Sequence, residues 1–244
     1  MNEQYNEAEV AAALGGMSVQ ATTPTPETFP QFGTRQGRLS QLTLGTFRLI
    51  WHLDGPIETA VYVIEDLADP LSPRHPYCIS TPDGMVYHPI GETPLVEPRV
   101  SSITVKMTFL DEWEERWLLY HDHAEPGDGE SVFGYDIGYG PELLVCCGGR
   151  RPRFVPLEVT AMKKPYVTIH DYVMMMHPWL MSLLDGILWM ETVWEGMKAP
   201  QGERRMLLLR DPADAKVVYE FDWQEENSRM FLPLRARSER DTLL

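Results

Sequence analysis

Residues 168–197, TIHDYVMMMHPWLMSLLDGILWMETVWEGM, constrain the fold more than any other part of the chain. Apolar residues recur there every three or four positions, which traces one face of an α-helix. That face is formed by Val173, Met176, Leu180, Leu183, Leu184, Ile187 and Leu188. Because so apolar a helix must be covered by other parts of the chain, we predict that this region packs against a sheet in one domain.

Two features predict where this helical region begins and where it breaks. Thr168 and Asp171 have the spacing of a capping box, which predicts a helix start near Ile169. Pro178 lies inside the pattern, and proline removes an amide donor and clashes with the preceding turn. We therefore expect two helical pieces joined at His177.

The rest of the chain carries strand patterns that predict the sheet. Residues 103–109 alternate apolar and polar side chains, and their odd-numbered positions should face the core. Residues 206–209 and 217–223 are β-rich runs around a turn at 211–214, which predicts a hairpin. Further short strands are expected at 43–52, 59–64, 117–121, 132–137, 143–147 and 154–160. The prediction is a single α+β domain over residues 39–244, with a mostly antiparallel sheet packed by helices of the C-terminal half.

The N-terminal residues 1–38 differ from the rest, because they are rich in threonine, proline and glutamine and have few apolar anchors. We predict a flexible, disordered tail. Within it, Thr23 and Thr25 each precede a proline. A proline-directed kinase could reach both threonines in such a tail, and each phosphate would add about −1.5 to −2 charges.

The charge and the cysteine content indicate which classes of partner and which cell compartment suit this chain. The chain has 21 Lys and Arg against 36 Asp and Glu, a net charge of −15. An acidic surface repels phosphate backbones and anionic lipids, so we expect neither nucleic acid nor membrane as a partner. The three cysteines show no C-x-x-C spacing and the N-terminus lacks a signal-peptide pattern, which favours the cytoplasm or the nucleus.

His121 and His123 are the strongest indication of enzymatic chemistry. In an extended segment the two imidazoles would share one face and could bind zinc or another divalent metal. A metal site needs at least a third ligand, and the following EPGDGE is typical of a solvated loop. A metal-dependent enzyme centred on this pair is therefore the alternative function.

Cys146 and Cys147 are a second candidate for chemistry. A thiol beside Arg150 and Arg151 could have a lowered pKa and react as a thiolate. Equally, a buried cysteine can end a strand as a small hydrophobic residue. The common phosphate-loop, dinucleotide, serine-hydrolase and zinc-protease motifs do not occur in the sequence, so it predicts no cofactor.

A third group favours protein interaction. Trp179, Met190 and Trp194 lie off the apolar stripe of the helical region, where methionine and tryptophan commonly anchor interfaces. We interpret them as a second contact surface for a protein partner or for self-association. The leading prediction is a non-enzymatic, intracellular protein-interaction domain.

Four segments together resemble a family of unknown function found in basidiomycete fungi. They are residues 49–56 (LIWHLDGP), 80–82 (STP), 155–159 (VPLEV) and 167–173 (VTIHDYV), and the similarity covers about half of the chain. The chain departs from the family pattern in having His52 directly after Trp51 and a long insertion between Leu110 and Gly149. The resemblance implies a cytosolic α+β domain without known catalytic residues, and it transfers no site.

Overall fold

The computed structural model describes residues 28–34, 40–67, 69, 72–136, 140–193 and 204–241, without the side chains of 136, 189–193 and 231–241. Within them the α-helices are α1 (Leu44–Phe47), α2 (Ile57–Ala60), α3 (Thr108–Tyr120), α4 (Ile169–Val193) and α5 (Glu220–Asp241), with a 3-10 turn at Pro89–Glu92. The strands in chain order are β1 (Gln41–Leu42), β2 (Leu49–Trp51), β3 (Val61–Ile64), β4 (Arg74–Pro76), β5 (Cys78–Thr81), β6 (Gly84–Tyr87), β7 (Val96–Glu97), β8 (Ser102–Val105), β9 (Val132–Asp136), β10 (Gly140–Cys146), β11 (Gly149–Arg150), β12 (Leu157–Thr160), β13 (Arg205–Asp211) and β14 (Asp214–Tyr219).

The architecture is α+β, with small antiparallel sheets packed by helices. The pairings are β1 with β7, β8 with β12, β13 with β14, β5 with β6, β2–β3–β4 and β9–β10–β11, and each is antiparallel. Single bridges join three of these sheets: Lys106 pairs with Asp214, and His52 pairs with Met206. The predicted α+β class with a mostly antiparallel sheet is therefore confirmed.

Helix α4 begins as its sequence predicts. The Asp171 carboxylate accepts from the Thr168 amide at 2.9 Å, and the Asp171 amide donates to the Thr168 hydroxyl at 3.1 Å, which is the reciprocal bonding of a capping box. Of the predicted stripe, Val173, Met176, Leu180 and Ile187 are fully buried, and Leu183, Leu184 and Leu188 are half-buried.

The predicted break at His177 is wrong, because α4 runs without interruption through Pro178. Proline inside a helix costs about 3 kcal/mol, whereas burying one large apolar side chain contributes about 1.5–3 kcal/mol. Met176 and Leu180 flank the proline and both are fully buried in the core. The neighbouring His177 is fixed on both ring nitrogens, since the Trp51 indole donates to Nδ1 at 3.2 Å and Nε2 donates to the Gly55 carbonyl at 3.2 Å. Packing on both sides thus holds one continuous helix.

Several strand predictions need correction. The strand predicted over 43–52 is reduced to Leu49–Trp51, because Leu44–Phe47 form α1, and the strand predicted over 59–64 begins only at Val61, after α2. The strand predicted over 103–109 ends at Val105, and α3 begins at Thr108, although Ile103, Val105 and Met107 are buried as expected. The strand predicted over 117–121 is wrong, since these residues form the last turn of α3 and its C-cap. The hairpin of β13 and β14 is confirmed, but its second strand ends at Tyr219, where the chain turns into α5.

Part of the predicted tail contacts the domain. The Phe32 amide donates to the Ser102 carbonyl at 2.9 Å, and the Ser101 amide donates to the Pro30 carbonyl at 2.9 Å. The Phe29 ring also packs edge-on against Tyr166, with 5.6 Å between ring centres. Contacts with the domain therefore begin before residue 39.

Among the described residues, no helix is both long and apolar enough to span a membrane.

Candidate metal centre

The C-terminal end of α3 packs against the sheet β9–β10–β11 around a small apolar cluster of its own. Trp117, Leu143 and Cys146 are its buried members, with Leu118, Ala124 and Phe133 packed against them. This cluster is separate from the main core. A unit with so few buried side chains gains little hydrophobic stabilisation, so additional interactions have to hold it.

Ion pairs supply one such interaction. Arg151 Nε lies 2.8 Å from a carboxylate oxygen of Glu114 on α3, and Arg151 Nη1 lies 2.7 Å from Glu142 on β10. Arg153 pairs with the same Glu142 carboxylate. The Arg151 guanidinium therefore links helix and sheet. It is engaged by carboxylates, which argues against the hypothesis that it activates a neighbouring thiol.

His121 is held by the end of α3. It caps the helix, its ring stacks on Trp117 with 4.1 Å between ring centres, and its Nδ1 lies 2.7 Å from the Trp117 carbonyl oxygen. A carbonyl can only accept, so Nδ1 carries the proton and Nε2 keeps its lone pair. This is the arrangement that orients a histidine for metal binding through Nε2.

His123 follows in a turn, so the two histidines do not share the face of an extended segment as the sequence spacing suggested. Its Nε2 lies 3.3 Å from the Cys146 sulfur and 3.3 Å from the Cys147 sulfur. The ring centres of His121 and His123 are 5.9 Å apart. The histidine pair and the cysteine pair, which the sequence presented as unrelated candidates, therefore lie at one place.

A tight turn brings the two thiols together. Cys146 pairs with Gly149 across the hairpin, which leaves Cys147 and Gly148 as a two-residue loop with φ of 51° and 75°. Two positive φ angles define a type I′ turn, in which Asn-Gly is the favoured pair. In a regular strand adjacent side chains point to opposite faces, whereas here the two sulfurs are only 3.7 Å apart.

The acidic loop before β9 is ordered by Asp128. Its carboxylate accepts from the amides of Glu125, Glu130 and Ser131 and from the Ser131 hydroxyl, at 2.7–3.2 Å. These bonds, of which the one from the Ser131 hydroxyl contributes most, lower the pKa of Asp128 to about 2. The same hydroxyl lies 3.5 Å from the Cys146 sulfur. The loop predicted as a solvated segment therefore contacts one of the thiols.

The donor atoms have spacings that suit zinc. In a tetrahedral site with Zn–S of about 2.3 Å and Zn–N of about 2.0 Å, two sulfurs lie about 3.8 Å apart, and sulfur and nitrogen about 3.5 Å apart. The observed separations among Cys146, Cys147 and His123 are 3.7, 3.3 and 3.3 Å. A ligand atom of His121 lies within 4.8 Å of both sulfurs. Two imidazoles on such an ion have ring centres about 5 Å apart, against 5.9 Å observed, so His121 has to move closer to complete the coordination sphere.

Without an ion the Cys147 thiol favours its protonated form. The hydrogen bond with Cys146, followed by burial and by the charges of Glu130 and Asp128, raises the pKa of Cys147. Zinc binds thiolates, so it has to displace the thiol protons. The affinity of the site for zinc should therefore rise with pH.

The remaining predicted site residues lie elsewhere. Trp179 on α4 is half-buried, and its indole N–H donates to the Val155 carbonyl at 3.2 Å. Met190 belongs to α4, but its side chain lies outside the described residues, as do Trp194, Thr23 and Thr25.

Sequence reasoning missed the convergence of the two pairs and the roles of Asp128 and Ser131. A cysteine directly before glycine in a hairpin turn was the available signal, because asparagine or glycine is favoured at that position.

Comparison with protein-family models, with curated proteins and with solved structures finds no match to this chain. The resemblance to the fungal family stays a prediction.

Proposed function

We propose that this chain is a zinc-stabilised, non-enzymatic protein-interaction domain in which His121, His123, Cys146 and Cys147 hold the ion. The observation that carries the zinc assignment is the triangle of 3.3, 3.3 and 3.7 Å formed by one imidazole nitrogen and two sulfurs. Two thiolates and two imidazoles are a common donor set for structural zinc.

The ion would cross-link two elements of the structure. It would join the end of α3 to the tip of the hairpin β10–β11, across a cluster in which three of the described side chains are buried. Binding to the folded state alone stabilises it by about 2.7 kcal/mol at a free zinc concentration 100 times Kd. Four protein ligands leave no position for a reacting water, which is why the proposal is structural zinc without catalysis.

Metal analysis of the purified full chain tests the assignment. We expect one zinc per chain, which His123→Ala and Cys147→Ser should each abolish or weaken strongly. Cys78→Ser is the matched control, because Cys78 is a buried free cysteine of the main core and should keep the zinc. Absence of zinc, or its retention in Cys147→Ser, would refute the site.

An open cavity of about 540 Å³ lined by His121, Asp122, Glu142 and Arg151 supports the alternative, a metal-dependent enzyme. In that case His121 would leave the ion and water would take its position beside the cavity. Cobalt replacement distinguishes the two. Visible bands unchanged by added azide indicate four protein ligands, and bands that shift indicate an open position.

The interaction half of the proposal rests on α4. Val155 is 77% exposed beside the half-buried Trp179, so an apolar side chain and an indole lie next to each other at the surface. We assign self-association to this pair, since tryptophan is enriched in interface hot spots. A net charge of −15 makes nucleic acid and anionic membranes unfavourable partners. The free thiols that zinc requires suit the reducing cytoplasm or nucleus.

Sedimentation across a range of concentrations tests the surface. Wild-type protein should gain mass with concentration, and Val155→Asp should stay monomeric. Leu44→Asp is the control, because Leu44 is 67% exposed and its loss should leave association intact. If the wild-type chain stays monomeric at all concentrations measured, the self-association proposal is refuted.

A further inference from the structure

We propose that Cys146 and Cys147 are a peroxide-reactive pair, and that their oxidation to a disulfide releases the zinc ion. This inference rests on the proposed zinc site, and it adds a modification and a means of control to it.

The geometry places one reactive sulfur outside and its partner directly behind it. Cys147 is exposed, whereas Cys146 is 1% exposed. An oxidant therefore reaches Cys147 first, and the Cys146 sulfur lies 3.7 Å from the Cys147 sulfur. Exposure together with a neighbouring resolving cysteine is typical of cysteines that oxidise reversibly.

The chemistry balances with hydrogen peroxide as the oxidant. In the zinc-loaded protein both cysteines are thiolates. The Cys147 thiolate attacks one peroxide oxygen, the O–O bond breaks, and a sulfenic acid and hydroxide form. The Cys146 thiolate then attacks the Cys147 sulfur, the S–O bond breaks, and a second hydroxide leaves. Two thiolates thus lose two electrons to give one disulfide, and one peroxide is reduced to two hydroxides.

Formation of the disulfide removes half of the ligand set. The two sulfurs must approach to about 2.0 Å, and a disulfide sulfur no longer carries the thiolate charge that zinc binds. His121 and His123 would be left alone, and two ligands do not make a stable zinc site.

The disulfide should also be easy to reduce. Neighbouring Cα atoms are about 3.8 Å apart, which is shorter than the 4.4–6.8 Å usual between disulfide-bonded residues. Such a ring is strained, and strained, exposed disulfides are the labile ones. The modification would therefore be reversible by a thiol.

The test uses the full chain loaded with zinc, with its zinc content measured beforehand. Hydrogen peroxide is added at one equivalent, a chromogenic chelator reports released zinc, and intact mass and peptide mapping report the thiols. We expect zinc release together with a loss of about 2 Da, the two thiol hydrogens, mapped to the 146–147 peptide. Dithiothreitol should restore zinc binding.

Two variants serve as controls for this experiment. Cys78→Ser should respond like the wild type, because Cys78 is 1% exposed and belongs to the main core. His123→Ala should release no zinc, which shows that the chelator signal of the wild type comes from this site. The inference would be overturned if the chain binds zinc but peroxide only adds oxygen atoms to the thiols, or forms a disulfide that includes Cys78. Either result would leave the proposed zinc site intact. An absence of zinc before peroxide would overturn the proposed function as well.

Discussion

Replacement of Cys147 by asparagine should change the stability of the protein in opposite directions with and without zinc. Cys147 has φ of 51°, in the left-handed region that costs an ordinary L-residue about 1–2 kcal/mol. Asparagine tolerates this region and is favoured at the first position of a type I′ turn. In the presence of a chelator, Cys147→Asn should therefore be more stable than the wild type by about 0.5–1 kcal/mol.

Zinc should reverse the order. At 100 times Kd the wild type gains about 2.7 kcal/mol from bound zinc, and the variant has lost one ligand and gains far less. Urea unfolding followed by circular dichroism, with chelator and with excess zinc, gives both differences. The wild type should have the higher midpoint in zinc and the lower midpoint in chelator.

Gly148→Ala is the matched control for the turn. Gly148 has φ of 75°, and a Cβ added there would meet no atom within 4 Å, so the substitution tests backbone conformation alone. It should lower stability by about 1 kcal/mol in both conditions and keep the zinc increment. If Cys147→Asn is less stable than the wild type in chelator, the argument from the turn is refuted. If it keeps the full zinc increment, Cys147 is not a ligand.

Three further outcomes can be measured. Asp128→Ala should weaken zinc affinity by roughly 10- to 100-fold in chelator competition, because Asp128 orders the loop whose Ser131 hydroxyl contacts a thiol; unchanged affinity would refute that role. Leu180→Ala should cost about 2–5 kcal/mol of unfolding free energy, because Leu180 is fully buried in the core, and a loss below 1 kcal/mol would contradict this. Burial lowers the pKa of His177 below its ordinary 6.5, so its neutral form contributes stability that is complete above pH 6.5 and declines as the pH falls. The urea midpoint of the wild type should therefore fall more between pH 7 and about 5 than that of His177→Gln, and equal declines would contradict the assignment.

The features that the sequence predicted correctly depend on neighbouring residues. Thr168 and Asp171 are three positions apart and bond to each other, so their spacing alone identifies the start of α4. The hairpin of β13 and β14 likewise follows from two strand patterns around one turn. Such short-range signals are independent of how the rest of the chain folds.

Helix α3 shows why other elements were mispredicted. Its N-cap residue, Met107, makes no side-chain cap, and the Thr108 amide donates instead to the Asp214 carboxylate at 2.9 Å. Asp214 is 106 positions away in the sequence, so no local pattern could indicate this start. Near the other end, Trp117 and Tyr120 have β-forming preferences that tertiary packing overrides. Pro178 is a similar case, because the burial of its neighbours offsets the missing hydrogen bond.

The candidate metal centre combines short-range sequence signals with contacts between distant segments. Each half was visible in the sequence, as two histidines two positions apart and two adjacent cysteines. Their meeting depends on α3 ending at Tyr120 and on β10 returning to it, and neither could be derived from local patterns. Once the hairpin is known, the cysteine at a positive φ becomes informative, because asparagine or glycine would fit that turn at lower energetic cost. A residue that destabilises its own turn requires another reason to be there, and the proposed role of Cys147 as a zinc ligand, with its sulfur 3.3 Å from the His123 Nε2, gives that reason.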